Sequence, residues 1–208
     1  MNRRAMEYQL IWGHKTPQVE AKFGDIIPWV YQSGRPYYDV FLEGADHEEI
    51  LRRWMQRSSS EIALRRTRLL LDDQRIVGGY ISHSGRELAG CRQADLLDLA
   101  RSLGDISYQS LRRRMEDLKE LFAPVEENDF YLSRHGLLPG KECPRRRQAL
   151  LQDCLRRARQ GGFGRLRVDV AEENREARDF YQGQGFLVAY RGKSEHSRLR
   201  YLSMIFLL

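Results

Sequence analysis

Three consecutive arginines, Arg145, Arg146 and Arg147, follow Pro144 where the sequence predicts the start of a helix. Proline suits a first helical position because its fixed φ matches the helix and its missing N–H would have no partner there. Three positive charges lie unfavourably at the positive end of a helix dipole, and a bound anion would relieve their repulsion. Guanidinium groups bind phosphate oxygens through paired hydrogen bonds. The run therefore favours an anion site over a helix start that is merely solvated.

A second stretch that carries chemistry runs from Val168 to Phe186 and reads VDVAEENREARDFYQGQGF. An apolar strand comes first, followed by Asn174 and Ala177, then the Phe180-Tyr181 pair and finally Gly185-Phe186. This order closely resembles the motif of GNAT-superfamily acyltransferases, which take their acyl group from coenzyme A. The resemblance implies that Asn174 contacts the cofactor, and its place just before a helix also suits an N-cap.

Residues 137–151, LLPGKECPRRRQALL, occupy the place of the same family's acyl-CoA loop, with matching spacing. In the family, glycines let backbone N–H groups at a helix N-terminus approach the pyrophosphate. Here Cys143, Arg145 and Arg147 stand at glycine positions, and Glu142 stands where Arg or Gln is usual, so the loop is degenerate. The arginines either replace the lost contacts through their side chains or crowd the phosphates. The resemblance implies a coenzyme A site made by Leu137, Leu138, Cys143, Arg145, Arg146, Arg147, Gln148, Ala149, Asn174 and Tyr181.

Tyr181 is the clearest candidate catalytic residue. The resemblance implies that this tyrosine lies near the sulfur of coenzyme A and protonates the departing thiolate. A phenol with a pKa near 10 can donate a proton to a thiolate once it is positioned, so the residue type suits the step. The alternative is an amphipathic tyrosine that only packs.

The general base is less evident. Period-two alternation along the strand 130–138 predicts that Tyr131, Ser133 and His135 share one face. Of these, only His135 titrates in the range that suits deprotonation of an amine, so His135 is the second candidate catalytic residue. A chain of waters or a carboxylate from the N-terminal half, Asp39 or Glu43, remains an alternative.

Apolar periodicity predicts the elements that must hold these residues. Strands and helices alternate in the last third of the chain, which indicates one α/β domain. Together with the resemblance, this predicts a single domain over 1–208, with a mixed central sheet of six to seven strands flanked by helices. A helical insertion at about 88–122 separates the third and fourth strands. Helices are predicted at 16–31 with a break near Pro28, at 46–58, on either side of Gly104 within 88–122, at 145–159 and at 174–184; strands at 68–71, 76–81, 130–138, 166–170, 186–190 and 200–208.

Five aromatic residues between the first two predicted helices could line an acceptor pocket for an apolar or aromatic amine. A place in the core is the favoured interpretation. They are Trp29, Tyr31, Tyr37, Tyr38 and Phe41.

Composition narrows the class of protein. The 208 residues are 41% hydrophobic, enough for the core of one domain, and the net charge is +6 with lysine supplying only five of 35 basic residues. No stretch approaches the roughly 20 apolar residues of a membrane-spanning helix, so no membrane association is expected. Residues 1–7 lead into no secretory segment, which predicts a cytoplasmic protein. Three cysteines without metal-ligand spacing predict neither a disulfide framework nor a metal site.

The preferred hypothesis is transfer of an acetyl group from acetyl-CoA to a primary amine of a small-molecule or peptide acceptor, by direct attack and without a metal. A catalytically degenerate GNAT-like binding or regulatory module is the alternative. Nucleic-acid binding is disfavoured, because acidic residues are mixed with the arginines along the chain. The strand 200–208 is apolar at its end, and as an exposed sheet edge it would invite pairing, which predicts a homodimer. The helical segment 88–122 is the alternative surface for this pairing.

Overall fold

Seven strands form one mixed sheet in the computed structural model, which describes residues 8–16 and 19–208 without the side chains of 20–21 and 104–108. The sheet order is β1-β2-β3-β4-β5-β7-β6, and only β4 and β5 run parallel. The predicted mixed sheet is confirmed, and β1 is the strand that the sequence analysis missed. The strands are β1 Gln9–Trp12, β2 Thr67–Asp72, β3 Arg75–Ser84, β4 Asp129–Leu137, β5 Arg165–Ala171, β6 Leu187–Lys193 and β7 Arg200–Leu207.

Helices cover both faces of the sheet and divide the core into two clusters. One cluster joins the first four helices to side chains such as Leu69 and Ile81, and the other joins the last two helices to Leu70 and Tyr80. Neighbouring residues of one strand thus enter different clusters, as the pleat requires. The described helices are α1 Phe23–Ser33, α2 Tyr37–Phe41, α3 His47–Gln56, α4 Gly85–Leu118, α5 Pro144–Gln160 and α6 Arg175–Gly183, with short 3₁₀ segments at Gly13–Lys15, Val19–Lys22 and Leu64–Arg66.

The insertion between β3 and β4 is one long helix, α4, where the sequence analysis predicted two. Glycine in a helix interior costs only about 1 kcal/mol relative to alanine, and packing on both sides of residue 104 outweighs it. Leu99 on one side, with Leu111 and Leu118 on the other, are almost fully buried.

The predicted break near Pro28 is also wrong, because α1 continues through that residue. Proline removes one helical hydrogen bond, but Ile26, Ile27 and Trp29 around it are buried and hold the helix in place. Residues 17 and 18 of this predicted helix lie outside the described residues.

Strand β7 does not form an edge of the sheet. It lies between β5 and β6, and it pairs with β5 over Tyr201–Leu207 and with β6 over Arg200–Ile205. The exposed sheet edge on which the homodimer prediction was based is therefore wrong, although Phe206 and Leu207 at the end of the strand pair with β5 alone. The oligomeric state itself stays a prediction. Of the helices in the described part of the chain, none is long and apolar enough to cross a membrane.

Candidate active site

A gap opens in the middle of the sheet where β4 and β5 part. The two strands pair only from Asp129 with Arg165 to Leu132 with Val168, although both continue beyond this point. A cavity of ≈ 130 Å³ lies at the gap, and residues from both faces of the sheet line it. The unpaired edges of the two strands leave main-chain groups available to a ligand. The cavity at the gap therefore connects the two faces of the sheet.

A bulge at Ser133 decides which side chains of β4 face which layer. Ile81 of β3 pairs with Arg134, whereas Ser82 pairs with Leu132, so Ser133 has no counterpart on β3. An extra residue of this kind reverses the alternation of side chains beyond it.

Because of the bulge, the prediction that Tyr131, Ser133 and His135 share one face is wrong for His135, whereas Tyr131 and Ser133 both lie on the side of α4. Tyr131 lies opposite His83 and Arg134 opposite Ile81, on the side of α4, whereas His135 lies opposite Tyr80 on the side of α5 and α6. The bulge therefore divides the residues of β4 between two half-sites, one on each side of the gap.

On the side of α5 and α6, His135 and Tyr181 form a hydrogen-bonded pair. His135 Nδ1 lies 2.8 Å from the Tyr181 hydroxyl oxygen, and Nε2 lies 3.2 Å from the main-chain oxygen of Arg147. A carbonyl oxygen can only accept, so Nε2 carries the ring proton and Nδ1 accepts from Tyr181. Burial raises the pKa of Tyr181, whereas burial and the nearby Arg147 charge lower the pKa of His135 to about 3. Both rings are therefore neutral at physiological pH.

The three arginines of the predicted anion site begin α5 but differ in their surroundings. Arg146 forms an ion pair with Asp72 across the loop. Arg147 pairs with Glu176 at 2.6 Å, and its guanidinium carbon lies 4.4 Å from the centre of the Phe180 ring. The side chain of Arg145 is exposed, and no ion pair is found for it within the described part of the chain. Of the three, Arg145 has the guanidinium most available to a bound phosphate.

The remaining predicted coenzyme A residues lie along the path from the gap to α5. Leu137 ends β4, the Leu138 N–H donates to the Val77 carbonyl at 2.9 Å, and Cys143 is the N-cap residue of α5. The backbone N–H groups at this helix start lower the pKa of the Cys143 thiol. Gln148 and Ala149 follow in the helix, Gln148 exposed and Ala149 partly buried.

The loop before α5 uses one of its own backbone donors. The Gly140 N–H donates to the Glu142 carboxylate at 3.0 Å. Gly140 has φ of 74°, and an added Cβ would meet nothing within 4 Å, so the loop is open on that side.

Asn174 caps α6, as predicted. Its Oδ1 accepts the Ala177 N–H at 3.0 Å, and the residue also lines the cavity beside Tyr181. The cap holds the start of α6 at the gap. The predicted role of Asn174 in cofactor binding stays a prediction.

On the side of α4, a charged cluster that the sequence analysis missed lies at the gap. Glu61 accepts a hydrogen bond from Ser133 and lies 3.2 Å from Arg92 Nε and 3.9 Å from Arg134 Nη1. Burial alone would raise the pKa of Glu61, but the two guanidiniums lower it to about 2. Glu61 lies in a loop far from β4 in sequence, so only the tertiary fold brings these charges together.

Three further titratable side chains lie around this cluster. Tyr131 donates to Asp169 at 2.9 Å and accepts from Arg92 at the same distance. Burial raises the pKa of Asp95 to about 7, and burial lowers the pKa of His83 to about 4.

The predicted aromatic group divides between core and cavity. Trp29, Tyr38 and Phe41 are buried in the core, and Tyr37 lines the gap. Tyr31 donates to Asp39 at 2.8 Å. Asp39 also pairs with Arg35, and neither Asp39 nor Glu43 is among the described residues that line the cavity.

No protein-family model matches the chain, and no characterised protein sequence matches it significantly. Solved structures do resemble it. An N-acetyltransferase from Staphylococcus aureus Mu50 superposes with a TM-score of 0.65 at 14% identity, over 89% of this chain and 96% of that one. The PaiA N-acetyltransferase from Thermoplasma acidophilum in complex with coenzyme A gives 0.52 at 13% identity, over 98% and 100%. The ribosomal-protein-S18-alanine N-acetyltransferase from Escherichia coli gives 0.51 at 11% identity, over 97% and 94%. The chain thus has the α/β fold of the GNAT acetyltransferases.

Proposed function

We propose that this protein is an acyl-CoA-dependent N-acyltransferase that transfers an acetyl group from acetyl-CoA to a primary amine. The observation that carries the proposal is the gap between β4 and β5, with Tyr181 and His135 on one side and the Glu61 cluster on the other. Two substrates that enter from opposite faces of the sheet would meet there. The fold shared with acetyltransferases supports this use of the gap.

The residues around the gap fit coenzyme A. The unpaired edge of β4 would hydrogen-bond the pantetheine arm, and the helix start of α5 would bind the pyrophosphate with help from the exposed Arg145. The degenerate loop costs contacts, since the Glu142 carboxylate already occupies the Gly140 N–H. Binding therefore depends more on guanidinium groups than a glycine-rich loop would.

The chemistry is a direct displacement. The amine nitrogen attacks the thioester carbonyl, a C–N bond forms, the C–S bond breaks, and the coenzyme A thiolate leaves. Main-chain N–H groups on the free edge of β4 would stabilise the oxyanion. Tyr181 rotates its O–H from His135 towards the sulfur and protonates the thiolate. The proton that the amine loses, passed to solvent or a base, balances the proton that solvent returns to the Tyr181 phenolate.

In this scheme His135 is a positioning residue. Its neutral ring accepts from Tyr181 and donates to the Arg147 carbonyl, so it fixes the phenol at the gap. The lowered pKa of His135 makes it a weak base, and its role as proton acceptor for the amine stays a prediction. The Glu61 cluster lies on the face from which the acceptor would enter.

The acceptor is a small molecule or a peptide N-terminus. The enzyme from Escherichia coli that shares the fold is named for the alanine of ribosomal protein S18, which is an amine acceptor of the peptide kind. The alternative is a catalytically degenerate GNAT-like binding or regulatory module, and the lowered pKa of His135, which makes this residue a weak base, favours it.

A thiol-release assay tests the proposal. Acetyl-CoA is incubated with the protein and a panel of amines, and free coenzyme A is detected with a thiol reagent. We expect release that depends on both the amine and Tyr181. Saturable binding of acetyl-CoA with no release for any amine would instead support the binding module, and absence of binding would reject both.

A further inference from the structure

Two guanidinium groups on the α4 side of the gap share a single ionised carboxylate. Arg92 and Arg134 both line the cavity, and both lie within 4 Å of Glu61. The lowered pKa of Glu61, about 2, keeps its charge at −1 at neutral pH. One carboxylate therefore faces two positive charges at this point of the fold.

The other charged groups on the cavity walls do not supply the missing negative charge. Asp169 lies 3.2 Å from Arg167 Nη2 and so has a cation of its own. The cations Arg35 and Arg147 likewise have partners in Asp39 and Glu176.

Asp95 is a further acidic group on this side, and it lines a cavity together with Arg134 and Glu61. Burial raises its pKa to about 7, so that its carboxyl carries only part of a negative charge at neutral pH and less below it. Its Oδ2 accepts hydrogen bonds from the Glu61 N–H and from the Ser60 hydroxyl, so this oxygen already has partners within the chain. A net positive charge therefore remains on this side of the gap.

The excess charge lies largely on Arg134. Its side chain is 10% exposed, and its Nε is buried without a hydrogen-bond partner in the described part of the structure. The guanidinium carbon lies 4.4 Å from the centre of the Tyr38 ring, and Nη1 donates to the Ser133 carbonyl at 2.6 Å. Such contacts place the group without neutralising it. A buried cation without a full counter-charge is costly, and a ligand anion would offset that cost.

Arg134 also lies between two cavities. The first is the gap of ≈ 130 Å³, and the second, of ≈ 180 Å³, is lined by Tyr37, Trp54 and Asp95 among others. Each is smaller than the roughly 300–1,000 Å³ of sites that enclose a drug-sized ligand, so a small group fits here. The position next to the gap places such a group beside the reacting atoms.

We infer that Arg134, assisted by Arg92, binds a carboxylate carried by one of the two substrates. This inference rests on the proposed function, because the same gap must hold both substrates. The single charge of a carboxylate matches the excess charge, and its two oxygens suit the planar fork of a guanidinium. The carboxylate belongs either to an acceptor of the amino-acid type or to a dicarboxylic acyl group on coenzyme A.

The first experiment needs no turnover. N-acetylglycine carries the carboxylate, N-acetylglycinamide is its neutral analogue, and binding of both is measured by ligand-observed NMR titration. We expect the acid to bind wild type about tenfold or more tightly than the amide, as one charge-assisted hydrogen bond predicts. The preference should disappear in Arg134→Gln and return in part in Arg134→Lys. Arg86→Gln, whose exposed side chain lies 3.5 Å from Glu127, is the matched control.

Two kinetic arms separate the sources of the carboxylate. In one, L-amino acids are compared with their amides as acceptors for acetyl-CoA. In the other, succinyl-CoA is compared with acetyl-CoA for one amine. We expect Arg134→Gln to raise KM about tenfold for the substrate whose carboxylate Arg134 binds, either the amino acid or succinyl-CoA. The kcat for that substrate should be much less affected.

Equal binding of N-acetylglycine and its amide to wild type would overturn the inference, even where Arg134→Gln does not fold. If Arg134→Gln weakened the binding of N-acetylglycine and of N-acetylglycinamide equally and also lowered thermal stability, Arg134 would have a purely structural role. Titration of acetyl-CoA distinguishes failure of this inference from failure of the proposed function. If acetyl-CoA binds but N-acetylglycine and its amide bind equally, only this inference is rejected. Absence of acetyl-CoA binding rejects the proposed function.

Discussion

The Tyr181 hydroxyl donates a hydrogen bond to Nδ1 of His135 over 2.8 Å, and the other ring nitrogen of His135 donates to the main-chain oxygen of Arg147. This chain of contacts joins α6, β4 and the first turn of α5. It therefore links the candidate proton donor directly to the helix that would bind the cofactor phosphates.

We predict that Tyr181→Phe lowers kcat by about 10² to 10⁴, because general acid catalysis is worth that much in rate. The ring and its packing remain, so affinity for acetyl-CoA should stay near that of wild type. The lost hydrogen bond leaves His135 Nδ1 without its donor, which should cost about 1–3 kcal/mol of unfolding free energy. Steady-state kinetics and denaturant unfolding measure both effects.

Tyr190→Phe is the matched control, because this tyrosine donates to the Glu120 carbonyl far from the gap. Its kcat should equal that of wild type. The rate loss in Tyr181→Phe should also shrink with an acyl donor whose leaving thiol is more acidic. An unchanged kcat in Tyr181→Phe would remove the phenol from the mechanism.

Arg145→Ala should weaken coenzyme A binding by about three- to tenfold, the range for one charge-assisted contact at an exposed site. Affinity of wild type should fall as salt rises, since exposed charges are screened. Calorimetric titration at two salt concentrations tests both. Arg159→Ala, at the far end of the same helix, is the control and should bind as wild type does.

Replacing both Arg145 and Arg147 by glycine would restore the family pattern of the loop while deleting the side-chain contacts. If the arginines compensate for missing glycines, coenzyme A should bind this double variant more weakly than wild type in the same titration. Markedly tighter binding would show that the arginines obstruct the phosphates.

The raised pKa of Asp95 predicts that the free energy of unfolding depends on pH. Its pKa rises from 3.8 unfolded to about 7 folded, so the native state binds more protons between these values. The stability of wild type relative to Asp95→Asn should therefore fall by at least about 1 kcal/mol as pH rises from 4 to 7. Chemical unfolding of both proteins across this range gives the difference, and the opposite contribution of His83 cancels in it. A flat difference would mean that the carboxyl of Asp95 titrates normally.

The oligomeric state can be tested by light scattering at micromolar concentration, and a homodimer is the prediction. Strand β7 no longer supports it, because β7 lies inside the sheet, and the segment 88–122 is the surface that stays a candidate. The described edges are β1 and β6, and on β6 the side chain of Leu187 is 64% exposed. A clean monomer mass would reject the prediction.

Local signals in the sequence were enough for α5, α6 and the Asn174 cap, because apolar spacing and cap residues act over a few neighbouring positions. Strand β1 has only four residues and was missed for want of a pattern. The grouping of side chains on β4 failed for a different reason: a one-residue bulge at Ser133 has no signature in a single strand, yet it moves every later side chain to the other face.

The Glu61 cluster was beyond sequence reasoning for another reason. Glu61, Arg92 and Arg134 come from a loop, a helix and a strand, and their contacts span from 31 to more than 70 residues. Nothing in the spacing of charged residues predicts such an arrangement, since acids and arginines are interspersed throughout the chain.

The central claim is that acetyl-CoA binds through the gap between β4 and β5 with its sulfur beside Tyr181. Diffraction from crystals grown with acetyl-CoA tests this most directly. We predict electron density for the pantetheine arm between the two strands, the thioester within hydrogen-bond reach of the Tyr181 hydroxyl, and the pyrophosphate at the start of α5 near Arg145. Density for acetyl-CoA elsewhere on the molecule, or a gap left empty at saturating acetyl-CoA, would contradict the account.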